Sequence, residues 1–390
     1  MSSHGCSVGV RSPSPLAKRV VRPSDGASRA AFVSRRPASL TAPGSLRADV
    51  VGSLAALRED WSRLAAASGN VFSTWEWADV WWRRFGKGRE PAVVALTRPD
   101  GTVAAVVPLY RSTSRPVGIA RLIGHGPADQ LGPICAPEDL DEVTRALPAA
   151  VAAAGCRAAL LERLPGDRPW AAALGGRVLA TEPSPVLAIE AGTWDDLLAG
   201  WSANRRGQAR RLERKLEREH DHRYVATSDA ESLDGDLDVL FRLHRARWGE
   251  QSAFIAGEPF HREFARTALE RGWLRLWRME IGGTPVAAWY GLRFEGPLSY
   301  YQAGRDPAWE DAAVGLALLL RTIRCAVEEG ASEYRFLRGD EAFKARYATH
   351  DPGIVSIGAG VGRSGRSLVA AMDLIARSPV RRSVRRVAGS

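Results

Sequence analysis

The chain has 390 residues, 45% of them apolar, and a net charge of +10, enough for two domains of ordinary size, each with its own core. The charge is concentrated at the ends. Residues 1–47 carry eight Arg or Lys against one acid and residues 363–390 seven against one, so the tails sum to +13 and the body between them is left at −3. A mildly acidic body excludes a nucleic-acid-binding fold with a basic surface, and no run approaches the roughly 20 apolar residues that span a bilayer.

Residues 1–45 are rich in Ser, Arg, Pro and Gly. Such a composition cannot bury enough apolar surface to order itself, and it lacks the apolar region of a secretory signal. A disordered basic leader over 1–47 is expected. Cys6, Cys135, Cys156 and Cys325 are scattered without a CxxC pair, and the seven histidines do not cluster. No metal is therefore expected, and a reducing cytoplasm is the default compartment.

The first domain is read over 48–184. Leu54, Leu57, Trp61 and Leu64 make a helical stripe. An aromatic-rich helix, Phe72 to Trp82, follows and is expected to dock through its Trp rings; Glu76, between two Trp, is a minor site candidate. Ala92–Leu96 and Val103–Leu109 flank an Asp100-Gly101 turn and predict a hairpin. Ile119–Gly124, Leu131–Ile134 and Ala158–Leu161 are further short strands, with a helix over Pro148–Ala154. Gly166 to Pro185 reads as a Gly/Pro-rich link.

The second domain is read over 185–362. Thr193 is placed to cap a helix from Trp194. In the basic helix that follows, Arg205 and Arg206 have no acid nearby before Glu213, so either fork is available to an anion. Leu237–Trp248 is an amphipathic helix in which His244 reads as a structural histidine. Phe260–Leu269 is another helix, and Leu274–Met279 and Pro285–Phe294 are adjacent strands around Gly282-Gly283.

Strand Leu298–Gln302 then leads through a loop at Asp306-Pro307 into a long helix. Leu316, Leu319, Leu320, Ile323 and Val327 share one face, and Gly330 sits at the C-cap. The helix opens on Ala312, Ala313, Gly315 and Ala317. Small side chains there let an anion approach the unpaired amides of the first turn. The same spacing is also that of an ordinary crossover helix whose small residues allow close packing. Strand Glu333–Leu337 and the Gly339-Asp340 turn complete the unit. Tyr300 and Tyr301 alternate across their strand, so only one faces a ligand. Asp340, Glu341 and Lys344 lie just beyond a strand's C-terminal end, where open α/β sheets place ligands.

Five segments together resemble the GNAT N-acetyltransferase superfamily. They are Trp201–Leu212, Leu243–Trp248, Gly282–Ala288, Tyr300–Pro307 and Phe336–Lys344. Within that superfamily they are most similar to the cellulose-biosynthesis-type (CelD- or BcsL-like) acetyltransferases, relatives of the FemAB peptidyltransferases. The Gly315-Leu-Ala317 part of the family's diphosphate loop is present, with Ala312 at the loop's first position.

The resemblance implies an α/β (α+β) fold of tandem GNAT-like domains, with mixed, mostly antiparallel sheets flanked by helices. It implies a degenerate first domain without cofactor and an acetyl-CoA- or other acyl-CoA-dependent N- or O-acyltransferase in the second. On that footing Tyr300, Tyr301, Asp340 and Glu341 are catalytic candidates. Gln302, Val314, Gly315, Leu316 and Ala317 are candidates for the cofactor, and Arg205, Arg206, Arg338 and Lys344 for the substrate. The expected acceptor is a small molecule or saccharide of the cell envelope. The expected location is cytoplasmic, with the basic tails (the second over 363–390) able to touch anionic membrane weakly. Two alternatives stay open: a Fem-like transferase using aminoacyl-tRNA, which would want a basic groove on the body, and a catalytically idle binding or scaffold protein.

Overall fold

The computed structural model describes residues 46–112 and 118–377. The expected leader falls almost wholly outside these residues, as does the tail beyond 377. The described residues form three sheets. A four-stranded sheet pairs Arg47–Val51, Val93–Thr97, Val103–Val107 and Ile134–Cys135 in that order. A six-stranded sheet of the first half contains Leu109–Ser112, Ile119–Leu122 and Ala158–Pro165. The second half is one six-stranded sheet, ordered Val186–Ala188, Glu333–Arg335, Leu298–Arg305, Thr284–Arg293, Leu274–Ile281, His222–Ala226.

Three expectations change. Strand Ile354–Gly360, assigned by position to the second domain, inserts into the first domain's sheet between Ala158–Pro165 and Arg177–Glu182. The expected link at 166–185 therefore contains an edge strand of that sheet. Residues 362–377 are a helix, starting earlier than the short helix that the sequence places over Ser367–Arg377 at the head of the basic tail, and it is docked rather than free, with Val369 buried and Asp373 3.2 Å from Arg177. The helix expected from Pro148 runs over Leu140–Ala153, started by the acids Asp141 and Glu142 in its first turn, with Pro148 inside it.

The two halves share a core. The Trp75–Phe85 helix, capped by the Thr74 hydroxyl on the Trp77 amide, sets Trp77 edge-on to Phe260 and Phe264 of the Glu258–Glu270 helix, at 4.9 and 4.6 Å between ring centroids. Edge-to-face geometry of this kind is worth about 1 kcal/mol beyond area burial. Glu76, the minor site candidate, is held by Arg271 at 2.7 Å and is a tie between the halves. A second core lies on the opposite face of the second sheet, under the Ala203–Glu219 and Val314–Glu328 helices.

Candidate active site

The site is built around a split in the second sheet. Leu298–Arg305 runs parallel to Glu333–Arg335, but their pairing stops at Ser299↔Arg335. Beyond that point the first strand continues to Arg305 without a strand on this side. On its other side it pairs with Thr284–Arg293 through a bulge: Gly291 faces Tyr300 and Tyr290 faces Gln302, so Tyr301 is the extra residue.

The bulge settles which tyrosine faces the split. Tyr300 lines a pocket of about 220 Å³ with Trp289, Ala303, Arg305, Gly315 and Phe343. Tyr301 turns the other way, into the core shared with the first domain. Its ring lies near those of Phe72, Phe254 and Tyr290 and its hydroxyl donates to the Pro127 carbonyl at 2.8 Å. Its expected catalytic role is corrected to an interdomain contact. Gly291 matters beneath Tyr300. A Cβ there would overlap the Trp289 ring at 1.9 Å, so only glycine lets that indole lie across the strand as the pocket's floor.

Two helices close the pocket. Val314–Glu328 begins without a side-chain cap, on Ala313 in the left-handed region at φ 51°. The amides of Leu316 and Ala317 both donate to the Ala313 carbonyl at 3.0 Å, leaving those of Val314 and Gly315 as the donors of the first turn. Of the four residues expected at a cofactor's diphosphate, Gly315 and Leu316 line the pocket, while the Val314 and Ala317 side chains are buried in the core. Gln302 is not among the lining residues. Arg305 crosses over Gly315 and is ion-paired with Glu310 of the same loop.

The Ala230–Trp248 helix forms the other wall. A Cβ on Gly304 would stand 2.2 Å from the His244 backbone nitrogen, so strand and helix touch backbone to backbone. His244 is buried, its Nδ1 on the Ala303 carbonyl at 3.2 Å and its Nε2 on Ser252 Oγ at 2.8 Å. A carbonyl only accepts, so Nδ1 carries the proton and Nε2 accepts from Ser252. Burial lowers the His244 pKa to about 4, which keeps the ring neutral. One turn further on, Arg247 reaches the pocket beside Tyr300. Arg247 was missed from the sequence, although Leu243–Trp248 stood out. The available cue was its spacing of three from His244 on one helix.

Burial also raises the Tyr300 phenol to about 12, an effect that nearby Arg247 partly opposes and Glu341 reinforces. Tyr300 is therefore a protonated donor at neutral pH.

The turn after Phe336 is organised by Lys344. Its buried ammonium donates to the Arg338 carbonyl at 2.5 Å and lies 2.9 Å from Glu341 Oε2, an ion pair without hydrogen-bond geometry. Gly339, at φ 133°, lets the chain fold over that ammonium. Lys344 is thus a clamp rather than a free substrate-binding cation. Arg338 reaches into the first domain, 3.2 Å from Asp129 and 3.6 Å from Glu182, so its expected substrate role also yields to an interdomain tie. Arg206 is spent on the carbonyls of Ala199 and Trp201, at 3.2 and 3.0 Å, closing the end of the preceding helix. Asp340 is exposed. Arg205 stands 5.7 Å from the Trp201 and Tyr347 ring centroids. Among the described residues no group of three or more His, Cys, Asp or Glu is placed to hold a metal ion, and no helix is long and apolar enough to cross a membrane.

Residues 203–345, which hold this split pair and the uncapped helix start, match the family model described as an acetyltransferase (GNAT) domain. Residues 203–345 thus carry a GNAT-type acetyltransferase domain, within a mixed α/β fold. Among solved structures it resembles FemX, with a TM-score of 0.55 at 12% identity over 79% of this chain and 96% of that one. It also resembles a conserved protein of unknown function from Bacteroides thetaiotaomicron VPI-5482, with a TM-score of 0.52 at 12% identity over 80% and 99%. At such identity the likeness speaks to the fold. No curated protein sequence matches the chain.

Proposed function

We propose that the protein is an acyl-CoA-dependent acyltransferase acting on an amine or hydroxyl acceptor. One observation carries the reading: a single pocket runs from the open helix start at Gly315 to the protonated phenol of Tyr300, along the strand that loses its neighbour. The amides of Val314 and Gly315, with the positive end of the helix dipole, suit a diphosphate. The pantetheine arm would lie along Ala303–Arg305, taking the place of the missing strand.

The acceptor's nitrogen or oxygen attacks the thioester carbonyl carbon, a bond to that carbon forms and the C–S bond breaks. Tyr300 gives its proton to the departing sulfur, and the proton lost by the nucleophile passes to a base. Glu341, whose charge is felt at Tyr300, and the exposed Asp340 are the carboxylates available for that step. Positioning supplies much of the rate in such transfers, with proton transfer to and from placed groups adding to it. A cell-envelope saccharide as acceptor is part of this reading through the family resemblance alone, as is a location at the inner face of the membrane.

Thiol release from acetyl-CoA in the presence of amine and hydroxyl acceptors tests the proposal. Acceptor-dependent release that falls in Tyr300→Phe supports it. Release from no acyl-CoA, together with transfer from aminoacyl-tRNA, would replace it with a Fem-like donor.

A further inference from the structure

On and beside the wall helix, Arg242 bonds the Pro285 carbonyl at 3.4 Å, and other arginines are answered by carboxylates. Arg245 is held by Glu258 at 2.6 Å and Glu250 at 3.3 Å, and Arg262 by Glu258 at 2.7 Å. Arg305 is ion-paired with Glu310. Arg247 departs from the pattern. It is half-buried and lines the pocket at the Tyr300 end, yet among the described residues no carboxylate lies within ion-pair distance of it. Its guanidinium carbon sits 4.5 Å from the centroid of the exposed Trp248 ring. Stacking of this kind holds the fork in one plane; the Tyr300 phenol takes up part of it, and the rest of its donors face no carboxylate among the described residues.

The charged side chains lining the pocket are Arg247, Arg305 and Glu310. Arg305 and Glu310 neutralise each other, so an entering molecule meets the charge of Arg247. The donor's diphosphate has its own receptor at Gly315. At the Tyr300 end, where Arg247 stands, the donor would present its uncharged thioester, so an anion met there belongs to the other reactant.

We infer that Arg247 receives a carboxylate or phosphate on the acyl acceptor, which makes the acceptor an anionic amine or alcohol rather than a neutral one. This rests on the acyltransferase reading above. A planar fork facing a planar carboxylate or a phosphate edge forms two parallel charge-assisted bonds, worth roughly 10- to 100-fold in binding.

Two measurements on the full chain test the inference. The first maps phenylglyoxal adducts on arginines by mass spectrometry, with and without malonate or inorganic phosphate. Arg247 is expected to be modified freely and protected by either anion. An Arg247 adduct that forms at the same rate in all three conditions overturns the inference, whether or not acyl transfer is ever observed. The second compares glucosamine with glucosamine 6-phosphate, which share a nucleophile, as acceptors from acetyl-CoA. The 6-phosphate is expected to have the lower KM, and Arg247→Met to remove that advantage. If Arg247→Met instead raises the KM for acetyl-CoA and keeps the acceptor preference, Arg247 serves the donor and the inference falls. Anion protection of Arg247 without any acetyl transfer would sink the acyl-CoA reading and leave the anion receptor standing.

Discussion

Gly304 and His244 meet with no side chain between them: a Cβ on the glycine would lie 2.2 Å from the histidine's backbone nitrogen. This contact sets the distance between the pocket's strand and the helix that carries Arg247. Gly304→Ala must push them apart. Overpacking of this kind costs about 1–3 kcal/mol, so a fall in Tm is expected, accompanied by loss of activity beyond what the lost stability explains. Differential scanning fluorimetry and thiol-release kinetics on the same sample check this; an unchanged Tm would show that the contact gives way freely.

Tyr300 and Tyr301 are adjacent in sequence, and their phenylalanine variants are expected to behave in opposite ways. Tyr300→Phe removes the pocket's proton donor and should lower kcat by about 10²- to 10⁴-fold with little change in stability. Tyr301→Phe removes the hydrogen bond to the Pro127 carbonyl and should cost roughly 1 kcal/mol of stability with kcat retained. Equal kcat losses in the two variants would contradict the assignment.

The sequence alone showed that one tyrosine must face the ligand but could not say which. Alternation assigns faces only where register is regular, and here the bulge inserts Tyr301 against no partner. The Val314–Glu328 helix and the strands around it were legible because their apolar spacing is local. The Ile354–Gly360 strand was not, because its partners lie about 190 residues away and nothing in Gly353–Gly360 names them. The same limit applies to the arginines. That Arg206 closes a helix end and Arg338 ties two domains is fixed by tertiary contacts, while a charged residue read in sequence only announces that it needs a partner.

Removing the Lys344 ammonium should matter for stability. Lys344→Met leaves the Arg338 carbonyl and Glu341 without their cation. A fully buried pair broken this way costs about 3–5 kcal/mol; Glu341 is 31% exposed, so roughly 1–3 kcal/mol is expected after screening. Urea denaturation would measure it. A variant as stable as the parent, with its activity lost, would return Lys344 to the list of functional residues.

Two buried histidines, His244 and His261, and the half-buried His125 make the fold acid-sensitive. Burial lowers His244 to about 4 and His125 and His261 to about 3. Between pH 6.5 and those values the unfolded chain binds protons that the folded chain refuses, so stability falls as pH falls. At pH 5 each site contributes a loss on the order of 2 kcal/mol relative to pH 7 and above. His261 packs on the Phe254 and Phe260 rings and its Nδ1 has no hydrogen-bond partner. His261→Phe should therefore flatten the decline. Tm measured from pH 8 to pH 4.5 on both proteins tests this; parallel curves would remove His261 from the account.

Acyl-CoA use depends on the amides of Val314 and Gly315 holding a diphosphate. Isothermal titration of CoA and of pantetheine, which lacks the diphosphate, into the parent protein and Gly315→Trp measures this directly. The prediction is that CoA binds the parent far more tightly than pantetheine does and that the indole at 315 abolishes the difference. Equal affinity for CoA in parent and variant, or no CoA binding to either, would contradict it.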